Sequence, residues 1–270
     1  MLRVQVSEGN AMGEPDRATR TPKAGSEAPS RGNAGRMRSR EDARRRGLAW
    51  GVHAFTASGA VVGAIALLAV GAGNWQQAAI LMLVALVIDS ADGTLARAAH
   101  VREVLPDIDG RRLDDMVDYL NYVIVPVVFL VAAGYLHPAV AAAPILASAY
   151  GFSLAEAKTE DDFFLGFPSY WNIVALYIWL LDVSELTATL VVVALAIGVF
   201  VPLKYLYPSK MPVGKAAMGV LGIAWVIGAS IAVVARDATA SWHLAEATLA
   251  YPALYLGLSF WFGGLHRKPS

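Results

Sequence analysis

Cysteine is absent from all 270 residues. That excludes a disulfide framework, a thiolate metal site and a cysteine nucleophile. Charge is scarce as well. Only 16% of the chain is Asp, Glu, Lys or Arg, and the 22 basic and 22 acidic residues cancel, so no excess of positive charge points to a nucleic-acid partner. What remains is strongly apolar. Hydrophobic residues make up 56% of the chain and the mean hydropathy is +0.49, which is too high for an ordinary soluble domain.

The charges that exist are unevenly placed. Residues 1–46 carry 17 charged and only 12 hydrophobic residues, broken by Gly, Pro and Ser. Such a stretch buries too little surface to offset the entropy of ordering, so it is expected to be a disordered basic cytoplasmic tail. Residues 47–270 are expected to form one transmembrane catalytic domain. Within them eight apolar runs follow one another, near 52–71, 76–96, 113–134, 138–156, 169–182, 186–206, 216–235 and 245–263. Most approach the roughly 20 residues that a helix needs to cross hydrocarbon, and none shows the ten-residue alternation of a barrel strand. The expected fold class is all-α and polytopic, with about eight transmembrane helices.

Basic residues near span ends stay on the cytoplasmic side. With the tail and the carboxyl end placed there, 21 of the 22 basic residues fall on that side and only Arg236 lies opposite. Both termini and the joint 97–112 are therefore expected to face the cytoplasm.

The second and third runs carry acids where a lipid-embedded helix should have none. Asp89-Ser-Ala-Asp92-Gly93-Thr-Leu-Ala96-Arg97 is followed, after twelve residues, by Gly110-Arg-Arg-Leu-Asp114-Asp-Met-Val-Asp118. Residues three or four apart share a helix face, so Asp89, Asp92 and Ala96 form one stripe and Gly110, Asp114 and Asp118 another. On antiparallel helices the acids sit at matching depths, roughly 6–8 Å and 12 Å from the joint at about 1.5 Å per residue. Several anions share a small volume only when protons or cations neutralise them, and carboxylates suit hard divalent ions such as magnesium, manganese or calcium. Gly93 and Ala96 leave bare helix surface beside the acids, and Arg97 is placed to pair with phosphate. Asp115 points away and reads as a solvated or Arg-paired neighbour. Intramembrane acids also mark ion pathways, so a cation transporter is the remote alternative.

The eight residues Asp89, Asp92, Gly93, Ala96, Arg97, Gly110, Asp114 and Asp118 resemble the signature of the CDP-alcohol phosphotransferase superfamily. Its usual eight-residue interval is lengthened here to twelve, residues 98–109. With the segment Lys158–Asn172, this joint resembles the bacterial phosphatidylcholine synthase branch. The resemblance implies transfer of a phosphatidyl group from CDP-diacylglycerol to choline in the inner membrane of a bacterium, with two divalent ions (Mn2+ or Mg2+), a homodimer, and CDP-diacylglycerol, choline and membrane lipids as partners. It implies metal ligation by Asp89, Asp92, Asp114 and Asp118, with Asp118 also the general base. Gly93, Ala96, Arg97 and Gly110 would border the nucleotide. His53, Thr56 and Ser58 are further nucleotide candidates, and Lys204 and Lys210 candidates for lipid phosphate. Quaternary ammonium groups favour aromatic faces, which makes Tyr119, Tyr122, Phe163, Phe167, Tyr170 and Trp171 the choline candidates. Serine, glycerol phosphate or inositol phosphate is the alternative acceptor on the same catalytic hairpin.

Overall fold

The computed structural model describes residues 31–154, 163–206 and 214–263. The chain divides into two compact units, Met1–Ala43 and Arg44–Ser270. In the first, the described residues are helical from Arg31, so the end of the expected disordered tail is ordered as helix. The run Arg36–Ala43 holds three Arg and no Pro, and Arg is a good helix former. Residues 1–30 lie outside the described residues.

The second unit is built from helices: α1 (Arg31–Gly71, from Arg44 onward), α2 (Trp75–Ala98), α3 (Val101–Val104), α4 (Gly110–Asp118), a π-helical turn (Tyr119–Ile124), α5 (Val125–Ala132), α6 (Ala142–Ser153), α7 (Trp171–Leu180), α8 (Glu185–Gly198), α9 (Lys215–Val234), α10 (Arg236–Thr239), α11 (Leu244–Thr248) and α12 (Ala250–Phe262). Two short strands, β1 (Phe163–Leu165) and β2 (Lys204–Leu206), pair antiparallel, with Phe163 opposite Leu206 and Leu165 opposite Lys204.

Four helices are long and apolar enough to cross a bilayer: Arg36–Gly71, Trp75–Ala98, Gly110–Ala132 and Lys215–Val234. The other four apolar runs hold helices of only 10 to 14 residues, α6, α7, α8 and α12. Their shortness has local causes. The sixth run stops being helical at Gly198 and turns into β2, and the eighth is split at Leu249 into α11 and α12. α7 has eight of its ten residues buried, so its length is set by protein neighbours rather than by hydrocarbon thickness.

Helix faces divide as a membrane protein requires. On α9, Val220, Ile223, Ile227, Ile231 and Val234 are exposed at three- and four-residue spacing, while Met218, Trp225, Ala229, Ala232 and Val233 are buried. An exposed stripe this apolar belongs against lipid. In the core, Phe129 of α5 meets Trp75 and Trp179 edge-on at 5.8 and 6.1 Å. Such aromatic pairs each add roughly 0.5–1.5 kcal/mol beyond area burial.

α1 packs through bare backbone. A side chain at Gly59 would meet Val117 at 2.7 Å, and one at Gly63 would meet Asn121 at 2.7 Å. Two glycines four residues apart let helices approach closely in lipid. Asn121 uses the proximity, donating to the Gly59 and Val117 carbonyls at 3.0 Å each.

The far end of the bundle is tied by side chains on backbone. Gln76 donates to the Val233 and Val234 carbonyls at the end of α9, at 3.0 and 2.7 Å. Arg236 donates to the Trp179 carbonyl at 2.8 Å and lies over the Trp179 ring at 4.6 Å. The one basic residue that the charge pattern puts on the opposite side thus serves as a cap on the end of α7.

Candidate active site

The hairpin from α2 to α4 places the acids. α2 runs unbroken through Asp89, Asp92, Gly93, Ala96 and Arg97. The twelve-residue joint then folds as the single turn α3, entered through His100 at φ 49° and left at Leu105, ahead of Pro106. Asp109 caps α4 by accepting from the Arg111 and Arg112 backbone N–H groups at 3.1 and 3.3 Å. This fixes the rotation of α4 at its first turn.

Asp89, Asp114 and Asp118 come together, each with a carboxylate oxygen within 4.8 Å of the others, and all three are half-buried. Asp89 and Asp118 lie within hydrogen-bonding reach of each other. Two carboxyl groups adopt that contact only with a proton or a cation between them. Three converging hard oxygens fit a divalent ion and offer nothing that would select a soft one.

Asp92 stands slightly apart. It is 5% exposed, accepts from the Thr56 hydroxyl of α1 and from the Gly93 N–H, and lies close enough to act electrostatically on Asp118. Three residues along a helix leave it about 60° round from Asp89, which turns it toward α1. Thr56 therefore has a site contact, whereas Ser58 donates to its own helix, to Phe55 at 2.6 Å.

The surroundings of the other candidates differ. A side chain at Gly93 would meet only Arg97, so the surface beside the acids is open. One at Gly110 would meet the His53 ring at 3.1 Å. Gly110 thus makes room for an imidazole of this same chain, and the His53 Nε2 atom is buried without a hydrogen-bond partner among the described residues. Arg97 donates to Thr94 at 3.1 Å, Arg112 lies 3.3 Å from Asp109 and Arg111 3.9 Å from Asp115. The Arg111 contact gives Asp115 the arginine partner expected of it.

Of the aromatic candidates, Tyr122 donates to Asp89 at 2.7 Å and meets Tyr170 edge-on at 6.2 Å. It sits in the π-helical turn directly after Asp118. Pro126 has no N–H to return to the Tyr122 carbonyl, which favours a widened turn there, and such turns recur at functional sites. Tyr119 instead donates to Ile145 at 3.1 Å and packs on Phe152. Trp171 is fully buried, with its ring N–H on Ser148 at 2.7 Å and Phe167 packed edge-to-face with it at 5.0 Å. Phe163 has the Lys204 ammonium 5.3 Å from its ring centre. Lys210 lies outside the described residues. No local pattern announces Tyr255 of α12, which packs on Tyr170 at 6.1 Å.

Compared with known proteins, residues 54–201 match the CDP-alcohol phosphatidyltransferase family. Among similar curated proteins is a phosphatidylcholine synthase of Legionella pneumophila, 44% identical over 168 residues, or 60% of this chain and 66% of that protein. A second, from Legionella bozemanae, is 41% identical over 192 residues, 67% of this chain and 88% of the relative. A third, from Pseudomonas aeruginosa, is 35% identical over 237 residues, 80% of this chain and 94% of the relative.

Proposed function

The chain belongs to the CDP-alcohol phosphatidyltransferase family, and on that premise we propose that it is a phosphatidylcholine synthase, moving the phosphatidyl group of CDP-diacylglycerol onto choline and releasing CMP. The observation that carries the chemistry is the convergence of Asp89, Asp114 and Asp118 near the joint of the α2–α4 hairpin. The acceptor is carried by the relatives, which share the name phosphatidylcholine synthase.

In the reaction the choline oxygen bonds to the phosphorus that bears diacylglycerol, and the bond from that phosphorus to the bridging oxygen breaks. The electron pair leaves with CMP. Asp118 takes the hydroxyl proton. A carboxylate is too weak a base to ionise an alcohol beforehand, so it accepts the proton as the new bond forms. Asp89, Asp92, Asp114 and Asp118 would hold two divalent ions, magnesium or manganese, which would supply charge neutralisation for the diphosphate and for CMP as it departs. Thr56 orients Asp92 and Tyr122 orients Asp89 through the hydrogen bonds described above. Gly93, Ala96 and Arg97 border the nucleotide, with Gly110 and His53 beside them, and Lys204 and Lys210 attract the lipid phosphate.

The domain over residues 47–270 crosses the bacterial inner membrane eight times and acts as a homodimer. The distribution of basic residues supports a cytoplasmic location for both ends and for the acid cluster.

The direct test supplies membranes containing the protein with CDP-diacylglycerol, Mn2+ or Mg2+ and a panel of labelled alcohols. Phosphatidylcholine is expected from choline, with no product from serine, glycerol phosphate or inositol phosphate. A product from one of those and none from choline would reassign the acceptor.

A further inference from the structure

Quaternary ammonium groups are held by aromatic faces, and here one aromatic corner abuts the acid cluster. Tyr122, 5% exposed, is fixed to Asp89 by its hydroxyl. Tyr170 stands at 62° to it, with ring centres 6.2 Å apart. The position of Tyr170 is set on both sides of it in the chain. Ser169 is held in the left-handed region at φ 57°, buried, with its hydroxyl on Ser148, and Trp171 donates to the same Ser148 oxygen. A non-glycine residue in that region costs free energy and persists only where its surroundings enforce it, as they do at ligand sites.

Behind Tyr170 stands Tyr255. Its ring meets Tyr170 at 6.1 Å and 67°, the two hydroxyls are hydrogen-bonded, and the Tyr255 hydroxyl donates onward to the Leu206 carbonyl of β2 at 3.0 Å. We infer that the corner formed by Tyr122 and Tyr170 seats the quaternary ammonium of the acceptor, and that Tyr255 is a positioning residue that holds Tyr170 in that corner. The inference rests on choline being the acceptor. Choline suits the geometry because only two carbons separate its hydroxyl from its ammonium. With the hydroxyl at Asp118, the ammonium falls one short step away, and the next turn of the same helix carries Tyr122. Tyr119, Trp171 and Phe167 are committed to other packing.

The test compares choline with 3,3-dimethylbutan-1-ol, which has the same shape and no charge, on the full-length protein in vesicles containing CDP-diacylglycerol and Mn2+. Tyr170→Leu is expected to raise the KM for choline by roughly 2- to 30-fold. The preference for choline over the neutral alcohol should shrink by the same factor, while the KM for CDP-diacylglycerol stays put and so reports an intact fold. Tyr170→Phe keeps the ring and should recover most of the preference. Tyr255→Phe should raise the choline KM less than Tyr170→Leu does, without moving that for CDP-diacylglycerol. An unchanged choline preference in Tyr170→Leu overturns the seat. An unchanged choline KM in Tyr255→Phe, or one that rises together with the KM for CDP-diacylglycerol, overturns the positioning role. If the unaltered protein consumes another alcohol and no choline, the functional reading itself falls, and that result is visible before any variant is made.

Discussion

Substituting Gly59 with Ala tests how the first helix serves the acids. The added methyl would lie 2.7 Å from the Val117 Cγ1 atom, about 1 Å inside a comfortable carbon–carbon contact, while its next neighbours, Asn121 and Ile88, stand off at 3.7 and 3.9 Å. One clash with one methyl therefore carries the effect. Overpacking of this kind costs about 1–3 kcal/mol. Val117→Ala alone deletes buried methyl groups and costs about 1–2 kcal/mol. Were the two sites independent, the double variant would lose the sum. Because the new methyl enters the room left by Val117, the double variant should instead stand within about 1 kcal/mol of the unaltered protein, a coupling of about 1–5 kcal/mol. Denaturant titration of the purified protein in bicelles measures this. Activity supplies a second readout, since α1 carries the Thr56 hydroxyl that holds Asp92. A hydrogen bond to a charged group contributes about 1.5–3 kcal/mol, so its disturbance in Gly59→Ala should lower turnover by roughly 10- to 100-fold, and Val117→Ala should restore much of it. Additive stabilities, or stability rescued without turnover, would refute the link from helix packing to acid placement.

Asp114→Ala should abolish turnover and weaken Mn2+ binding, followed by the paramagnetic signal of the free ion. Asp118→Asn should lose turnover yet retain CDP-diacylglycerol binding, and Asp115→Ala should be mild because its pairing with Arg111 is partly exposed. Gly110→Ala should lower activity by pressing on His53, and His53→Ala in the same chain should restore part of it. Failure of that rescue in a product assay would mean that the bare surface at Gly110 serves the nucleotide. A reporter fused after Ser270 should be active only in the cytoplasm, and one inserted at 183–184 only outside it.

Helix periodicity made the acid cluster legible. Asp89, Asp114 and Asp118 lie on two stripes of one hairpin, so spacing alone predicts their meeting, and the structure brings them within 4.8 Å. The same spacing put Asp92 in one cluster with the other three acids, whereas the structure sets it slightly apart, because which neighbour lies 60° round the helix depends on where α1 packs. That in turn depends on Gly59 and Gly63, whose partners Val117 and Asn121 lie far along the chain. Span lengths were less legible for a related reason. Hydropathy registers an apolar environment without distinguishing lipid from protein, and α7 is apolar chiefly because it is buried in protein.

Acid cluster and acceptor corner differ in how the chain supplies them. One hairpin of contiguous sequence carries the acids, their caps and the bare surface beside them, so a compact signature suffices to recognise the phosphoryl chemistry. Tyr122, Tyr170 and Tyr255 come instead from the π-helical turn, the start of α7 and α12, and their spacing in sequence follows no helical or strand period. Two further connections bind these pieces: the pairing of β1 with β2, and the hydrogen bonds at Leu206 of β2, whose carbonyl accepts from Tyr255 and whose N–H donates to Ser259. Changing the acceptor within such a fold requires altering rings and strands far apart in the chain while leaving the hairpin alone. The phosphoryl chemistry can therefore be read from a short motif, whereas the aromatic corner beside it comes into view only once the chain has folded.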